Sequence, residues 1–426
     1  MYVLGFLCRR LAWLLVLAAA VSLRAETPAE KRLAVFDDVW RTVNERYYDP
    51  QFNGVDWAAQ RETYRAQAAA ARDKGELYAV LRRLVGSLRD SHTRLFNDEE
   101  KSDWQKPRYL SVGLAVREIE GLPVVTAVES GTLAARAGLA PGDVIVSLDG
   151  RPALEVFAER RTEQFASTAE AARWRAMATI FDGPENSLVR VEWRDKNERL
   201  RAAVLQRTRR TREPRLDIKK LPHGVFLVSF DIFTPQIALA YTRAWRNELR
   251  EARALVFDLR GNGGGDANAM TDIASSLLPA GAKLGAFTNR RGEIVMQPQT
   301  RHALTWASDS ITRFDGPVVL LTATRTASAA EVFAASLREE LRVRVIGATT
   351  CGCVLAINRH TLPDGGLLDV SVMDYRTARG TRLEAKGVAP DEQLAPTRRD
   401  LIAGRDPALE RALAVVAPAL RQAARQ

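Results

Sequence analysis

Residues Gly316-Pro-Val-Val-Leu-Leu-Thr322 and Thr326-Ala-Ser-Ala-Ala-Glu-Val-Phe333 decide the fold of this chain. The first run is short, apolar and β-branched, as a buried parallel strand requires, and the second carries Val332, Phe333, Ser336 and Leu337 at helical spacing. Ser328 therefore stands where a strand gives way to a helix. A serine at such a turn presents its hydroxyl beside the first free N–H groups of the helix, at the positive end of the helix dipole. That arrangement suits a nucleophile whose attack creates an oxyanion. A serine there can also simply cap the helix, so the remainder of the chain has to decide between the two roles. Upstream, the pattern repeats: strand 225–230, helix near 236–251, strand 254–259 and helix near 267–278 precede strand 318–321 and helix 330–341. Alternation of this kind predicts a βα core with a largely parallel sheet.

The chain has 426 residues, enough for two to four domains. Arg9 and Arg10 precede an uninterrupted apolar run from Leu11 to Leu23, followed by Glu26-Thr-Pro. A basic start, a short apolar stretch and a polar exit form the pattern of a secretory signal over 1–25. The run is too short to span a bilayer comfortably, so contact with a membrane is expected only through this segment if it stays uncleaved. The net charge of +10 is scattered rather than gathered into an aromatic-interleaved basic stripe, which argues against nucleic-acid binding. Of three cysteines, Cys8 leaves with the signal, so Cys351 and Cys353 do not make a disulfide-stapled scaffold. In an extended segment residues i and i+2 lie ~6.6 Å apart, near the upper limit for a bridge, which predicts a labile redox pair at most.

Three textures follow the signal. Residues 26–107 read as helical, with Leu77, Val80, Leu81, Leu84, Val85 and Leu88 on one stripe, ending at Asp90-Ser-His-Thr-Arg94. Residues 108–208 turn to short β-like runs with Gly/Pro turns, a helical stretch at 155–181 and a returning strand at 188–193. The arginine-rich span 208–216 reads as a connector into the βα core at 209–404, and 405–426 closes with a helix. The expected class is α+β multidomain.

Three separated blocks resemble one family in the right order: Leu255-Val-Phe-Asp-Leu-Arg-Gly-Asn-Gly-Gly-Gly265, the Ser328-Ala-Ala-Glu331 turn, and Glu384-Ala-Lys-Gly-Val-Ala-Pro-Asp391. These are similar to the C-terminal processing and tricorn-type serine peptidases, whose core is of the crotonase/ClpP-like type. Residues 109–150 look like the PDZ module of that family, with Ser111-Val-Gly-Leu114 as its peptide-carboxylate loop. The helical N-terminal segment ending in Asp90-Ser-His-Thr resembles the tricorn-type branch.

The resemblance implies chemistry. Ser/Lys members carry their lysine 25 residues after the nucleophile, and here that position is Cys353, so the chain departs from the Ser/Lys pattern. The tricorn-type set is present: Ser328 as nucleophile, His92 as general base, Glu384 as the acid that orients it, and Ser91 as an auxiliary hydrogen-bonder. Serine is a weak nucleophile until a neutral imidazole takes its proton, and a carboxylate on the far ring nitrogen fixes the tautomer. The oxyanion hole implied is the Ala329 N–H with a glycine N–H from the 263–265 turn. Gly264 is preferred over Gly263, because relatives often have proline at the latter position and proline has no N–H.

His223 and His302 read as loop residues, His360 as a reserve base near Cys353, and Lys386 as a solvated surface residue. No metal or organic cofactor is implied. The expected function is an exported, periplasmic serine endopeptidase acting through an acyl-enzyme on Ser328, on proteins or peptides with free, apolar C-termini. The rival readings are a catalytically inactive PDZ scaffold and a carrier of small apolar ligands on the same core.

Overall fold

The computed structural model describes residues 27–100, 103, 105–301 and 313–423; the expected signal segment and His302 lie outside the described residues. Three helices open the chain, Pro28–Arg46, Trp57–Ala70 and Lys74–Gly86. Each begins at a side-chain cap: Thr27, Asp56 and Asp73 accept the N–H groups of Glu30, Ala59 and Glu76. Their apolar stripes bury Phe36, Val39, Val43, Leu81, Leu84 and Leu88 in a cluster that also contains Leu355, Leu362, Leu368 and Val370. The helical domain therefore shares its core with the hairpin formed by strands Ala356–Thr361 and Leu367–Arg376. A short strand, Arg94–Phe96, completes the junction by pairing antiparallel with Leu367–Asp369.

The next unit is a six-stranded antiparallel sheet containing Leu114–Ile119, Leu122–Val128, Val144–Leu148, Leu188–Arg194 and Leu200–Gln206 in that spatial order. Leu114–Ile119 is its edge strand, and the helix Ala169–Ala178 lies beside it. Two readings of the sequence are corrected here. The stretch 155–181 is not one helical run: helices Ala153–Thr162 and Ala169–Ala178 are broken at 163–168. Thr168 starts the second helix by capping the Ala171 N–H, and Phe165 packs onto Gly86 so closely that a Cβ there would meet its ring at 2.3 Å. The arginine-rich span is not an irregular connector either. Thr208–Thr211 pairs antiparallel with Arg108–Ser111, so a two-stranded tether carries the chain into and out of this unit.

The core sheet runs Leu216–Lys220, Val225–Phe230, Ala254–Asp258, Val318–Thr322, Arg344–Gly347, Glu392–Gln393, parallel throughout except at its first strand. Helices Pro235–Asn247, Ala267–Ser275 and Ala329–Leu341 cover one face, where Phe230, Phe233, Phe257 and Phe333 meet. The closing helix, Pro407–Ala423, covers the other with Ala408, Ala412, Val416 and Leu420. Burial on both faces explains the near-continuous apolar runs of these strands.

Candidate active site

Ser328 follows the strand Val318–Thr322 and stands as the cap of the helix Ala329–Leu341 with φ +55° and ψ −124°. A non-glycine residue holds this region only when its surroundings impose it. Here the Ser328 N–H is shared between the Cys353 carbonyl at 2.8 Å and the Glu331 carboxylate at 3.1 Å. Glu331 is fully buried and accepts three further donors: the Thr350 hydroxyl at 2.5 Å, the Gly352 N–H at 2.8 Å and the Cys353 N–H at 2.9 Å. Burial pushes its carboxyl up to about 7, while each of these donors pulls it down. The serine-to-glutamate spacing at 328 and 331 is a capping-box signature, the local signal that could have marked Glu331 as structural.

This residue gives a stability prediction. Both oxygens of Glu331 receive donors, and an amide in its place offers only one acceptor atom. Glu331→Gln therefore turns an NH₂ toward buried N–H groups, and each unsatisfied donor costs ~1–3 kcal/mol. A chemical denaturation series is expected to show a loss of at least about 2 kcal/mol. A change within 0.5 kcal/mol, roughly what a surface substitution produces, would contradict the role assigned to Glu331.

His92 arrives from the other end of the chain, two residues before the strand Arg94–Phe96. The Asp90 carboxylate shapes its turn by accepting the His92 N–H at 2.6 Å, the Thr93 N–H at 3.1 Å and the Thr93 hydroxyl. Ser91 is locked to the loop at 163–168: its N–H donates to Ser167 Oγ at 3.0 Å, and its Oγ accepts the Ser167 N–H at 2.9 Å. The Ser91 Oγ also lies 3.1 Å from Cys353 Sγ. Its hydroxyl thus serves the loop and the cysteine pair. Burial drives the His92 imidazole down to about 4, with Arg94 and Arg175 adding to the effect and Asp90 opposing it. Its Nδ1 is buried without a hydrogen-bond partner.

Ser328 and His92 line one cavity of about 180 Å³, whose other walls include Met270, Phe287, Met296, Val332 and Leu355. Glu384 is buried behind it. Its carboxylate accepts the Val354 N–H at 2.8 Å and a bond from the Ser167 side chain, and burial, with Asp90 and Glu331 nearby, raises it to about 8. In this arrangement Glu384 is bonded to the loops around His92 and not to the imidazole itself.

The expected oxyanion donors divide. The Ala329 N–H has no acceptor among the described residues. Gly264 packs against it, at φ +99°, where a Cβ would lie 2.6 Å from Ser328 Cβ and 3.0 Å from Ala329 N. Yet the Gly264 N–H donates to Asn262 Oδ1 at 2.8 Å and the Gly263 N–H to the Asp231 carbonyl at 3.1 Å. The Gly265 N–H has no acceptor among the described residues, and Gly265 lines the same cavity as Ser328. Gly264 makes the close approach that glycine alone permits.

Cys351 and Cys353, expected as a labile redox pair at most, form a disulfide with a Cα–Cα distance of 5.2 Å. Gly352, at φ +68°, turns the chain enough to bring the sulfurs together. The loop is also held by its backbone, through Cys351 N–H to Thr326 O and the two N–H groups on Glu331. A bridge over so short a loop removes little chain entropy. The double variant Cys351→Ala, Cys353→Ala is expected to unfold within about 1 kcal/mol of the parent in a thermal melt. A larger loss would make the bridge a principal support of the turn.

Of the remaining residues singled out, His360 is bonded to Asp38 Oδ2 at 2.7 Å, away from the Ser328 cavity, and Lys386 and His223 are exposed. Ser111 and Val112 are buried, Val112 in the core of the second unit. The Gly113 N–H donates to Ser111 Oγ at 2.9 Å, at φ +83° and so close to Thr132 that a Cβ would meet Oγ1 at 2.5 Å. Leu114 opens the edge strand. Among the described residues there is no cluster of three or more His, Cys, Asp or Glu side chains fit to hold a metal ion.

A serine on a strained strand-to-helix turn, an imidazole across an apolar cavity and N–H groups without acceptors among the described residues form an arrangement that serine hydrolysis can use. Residues 232–394 match peptidase family S41, residues 28–86 the tricorn protease C1 domain and residues 124–167 a PDZ domain. The chain is similar to the chloroplastic C-terminal processing peptidase of Tetradesmus obliquus, at 27% identity over 88% of this chain and 80% of that one. It is 28% identical to the carboxyl-terminal-processing protease of Synechocystis, over 83% and 78% of the two chains. The solved photosystem II D1 C-terminal processing protease superposes with a TM-score of 0.55 at 25% identity, over 88% and 98% of the chains. Mature CPAF, solved with lactacystin, shares the fold at a TM-score of 0.70 and 12% identity, over 92% and 99%. Its residues 232–394 thus carry a peptidase family S41 domain, and the chain as a whole is similar to C-terminal processing serine peptidases.

Proposed function

We propose that this protein is an exported endopeptidase that trims proteins near their C-termini through an acyl-enzyme on Ser328. The observation that carries this reading is the shared cavity of Ser328 and His92, with the unpaired Ala329 and Gly265 N–H groups beside it. Neutral His92 takes the Ser328 proton as Oγ attacks the scissile carbonyl, and the new oxyanion is received by the free N–H groups. The imidazolium returns that proton to the leaving amine, and water then repeats the sequence on the acyl-enzyme. Glu384, bonded to the loops around His92, is assigned as the acid that stabilises the imidazolium when it is ionised. The apolar walls at Met270, Phe287, Met296 and Val332 suit a medium-sized aliphatic substrate side chain. Export rests on the Arg9–Ala25 pattern, and the disulfide fits an oxidising compartment such as the periplasm.

Selection of substrates falls to the PDZ unit. An extended peptide adds to the edge strand Leu114–Ile119, with its terminal carboxylate at the Ser111–Leu114 loop. The far end of that strand, Arg117–Glu120, lines a cavity of about 930 Å³ that continues past Trp174 to Thr324 and Arg325 of the core, a route toward the nucleophile turn. The test pairs fluorophosphonate labelling mapped to Ser328 with cleavage of a peptide having a free apolar C-terminus and of its amidated and Asp-terminated versions. Labelling at Ser328 and a preference for the first peptide are expected. Absence of labelling would remove the peptidase mechanism; equal cleavage of all three would remove the PDZ unit from selection.

A further inference from the structure

A second cavity, of about 580 Å³, opens beside the nucleophile turn, walled by Gly263, Ala327 and Cys351 and by Arg94, Arg175 and Arg325. Its charges are unbalanced. Arg94 Nε and Arg175 Nη2 converge on a single oxygen, the Ser91 carbonyl, at 2.7 and 3.2 Å. Neither forms an ion pair among the described residues; the other bond of Arg175 runs to the Phe165 carbonyl. Arg325 stacks on Trp174 at 5.4 Å and donates Nε to the Gly261 carbonyl, again without a carboxylate partner. Of the acidic groups lining the cavity, Glu163 pairs with Arg160, and Asp90 accepts hydrogen bonds only from its own turn while its charge acts on Arg94 and Arg175 from a distance. Burial, and then the neighbouring Arg94 charge, depress Arg175 to about 9.

Arg94 is exposed and Arg175 and Arg325 are half-buried, so guanidinium groups without a carboxylate partner among the described residues are open to an incoming anion. Arginine forks match a carboxylate bidentately, which makes this trio a receptor for that group. We propose that Arg94, Arg175 and Arg325 form a carboxylate-binding subsite next to the nucleophile, which receives a carboxylate of the substrate chain as it crosses Ser328. The carboxylate is either the α-carboxylate of a short tail or an Asp or Glu side chain near the cleavage point. This rests on the serine peptidase reading given above. A bound carboxylate also offsets the positive charge that Arg94 and Arg175 place near His92, alongside Asp90 and Glu384, and so favours the imidazolium formed during attack.

The experiment uses the full protein and two peptide pairs: an amidated peptide with Glu near the scissile bond against its Gln twin, and a short-tailed free acid against its amide. The PDZ loop cannot sense the first pair, because both members lack a free C-terminus. Wild type is expected to prefer the carboxylate member of at least one pair by about tenfold or more in kcat/KM, in line with a charge-assisted pair of hydrogen bonds. In Arg175→Gln, and separately in Arg325→Gln, that ratio should fall to within about twofold of one. A preference in the Glu pair identifies the side chain as the source, and one in the acid pair identifies the tail. No preference in wild type overturns the subsite, as does a preference that survives both substitutions or a loss of rate shared equally by both members of a pair. Fluorophosphonate labelling of Ser328 in wild type is scored in parallel, so failure of the peptidase reading shows as absent labelling, and failure of the subsite as labelling with unchanged ratios.

Discussion

Ser328→Ala is expected to abolish peptide hydrolysis and fluorophosphonate labelling together while leaving the thermal melt in place. In serine peptidases, loss of the nucleophile removes about 10⁶-fold in kcat, because the remaining groups act only with it. The fold should survive because residue 328 is held through its backbone. Its N–H is bonded to Cys353 and Glu331, and its carbonyl accepts the Glu331 and Val332 N–H groups at 2.8 and 3.1 Å. Alanine keeps all of these. Labelling that persists in the variant would place the nucleophile at another residue.

His92→Ala should be almost as damaging, by about 10⁴-fold or more in kcat/KM, whereas His360→Ala and Lys386→Ala should leave turnover within about twofold, because neither side chain lines the Ser328 cavity. The pH profile follows from the site. His92 is depressed to about 4 and must be neutral to accept the serine proton, so activity rises with pH through a limb below the ordinary histidine value of about 6.5. Glu384 is raised to about 8, so it is neutral below that pH and gains its negative charge above it. A charge that stabilises the imidazolium adds a second rise toward alkaline pH, and Glu384→Gln should remove that step while keeping the acid limb. An acid limb at or above 6.5 would contradict the buried, arginine-flanked setting of His92. Loss of activity in His360→Ala but not in His92→Ala would displace the base altogether.

Periodicity and spacing carried the architecture far. The alternation from Val225 to Leu341 became the parallel core, and the stripe from Leu77 to Leu88 became the third helix. The turn at Ser328 was legible because a strand gives way to a helix there, and the turn at His92 through the resemblance of Asp90-Ser-His-Thr to the family motif. What stayed hidden depended on contacts between distant segments. Nothing local marks 163–168 as the loop that seats Ser167 against Ser91 and Thr168 against the Cys351 carbonyl. The strand Thr208–Thr211 has an arginine-rich composition that hides its pairing with Arg108–Ser111. The choice among Gly263, Gly264 and Gly265 rested on which N–H groups Asp231 and Asn262 had already taken, a matter of side-chain placement. The cysteine bridge turned on the backbone angle of Gly352, which an assumption of extended chain could not supply.

The pairing of Arg94–Phe96 with Leu367–Asp369 has a consequence for biosynthesis. His92 emerges early from the ribosome, and Ser328 and Glu384 follow only after more than half of the chain has been made. Until the strand Leu367–Arg376 is present, the strand Arg94–Phe96 that follows the His92 turn lacks the neighbour it pairs with. A nascent or truncated chain therefore carries its reactive groups apart. Proteolytic competence waits for the last segments to fold, which keeps an incomplete copy from attacking its neighbours during synthesis.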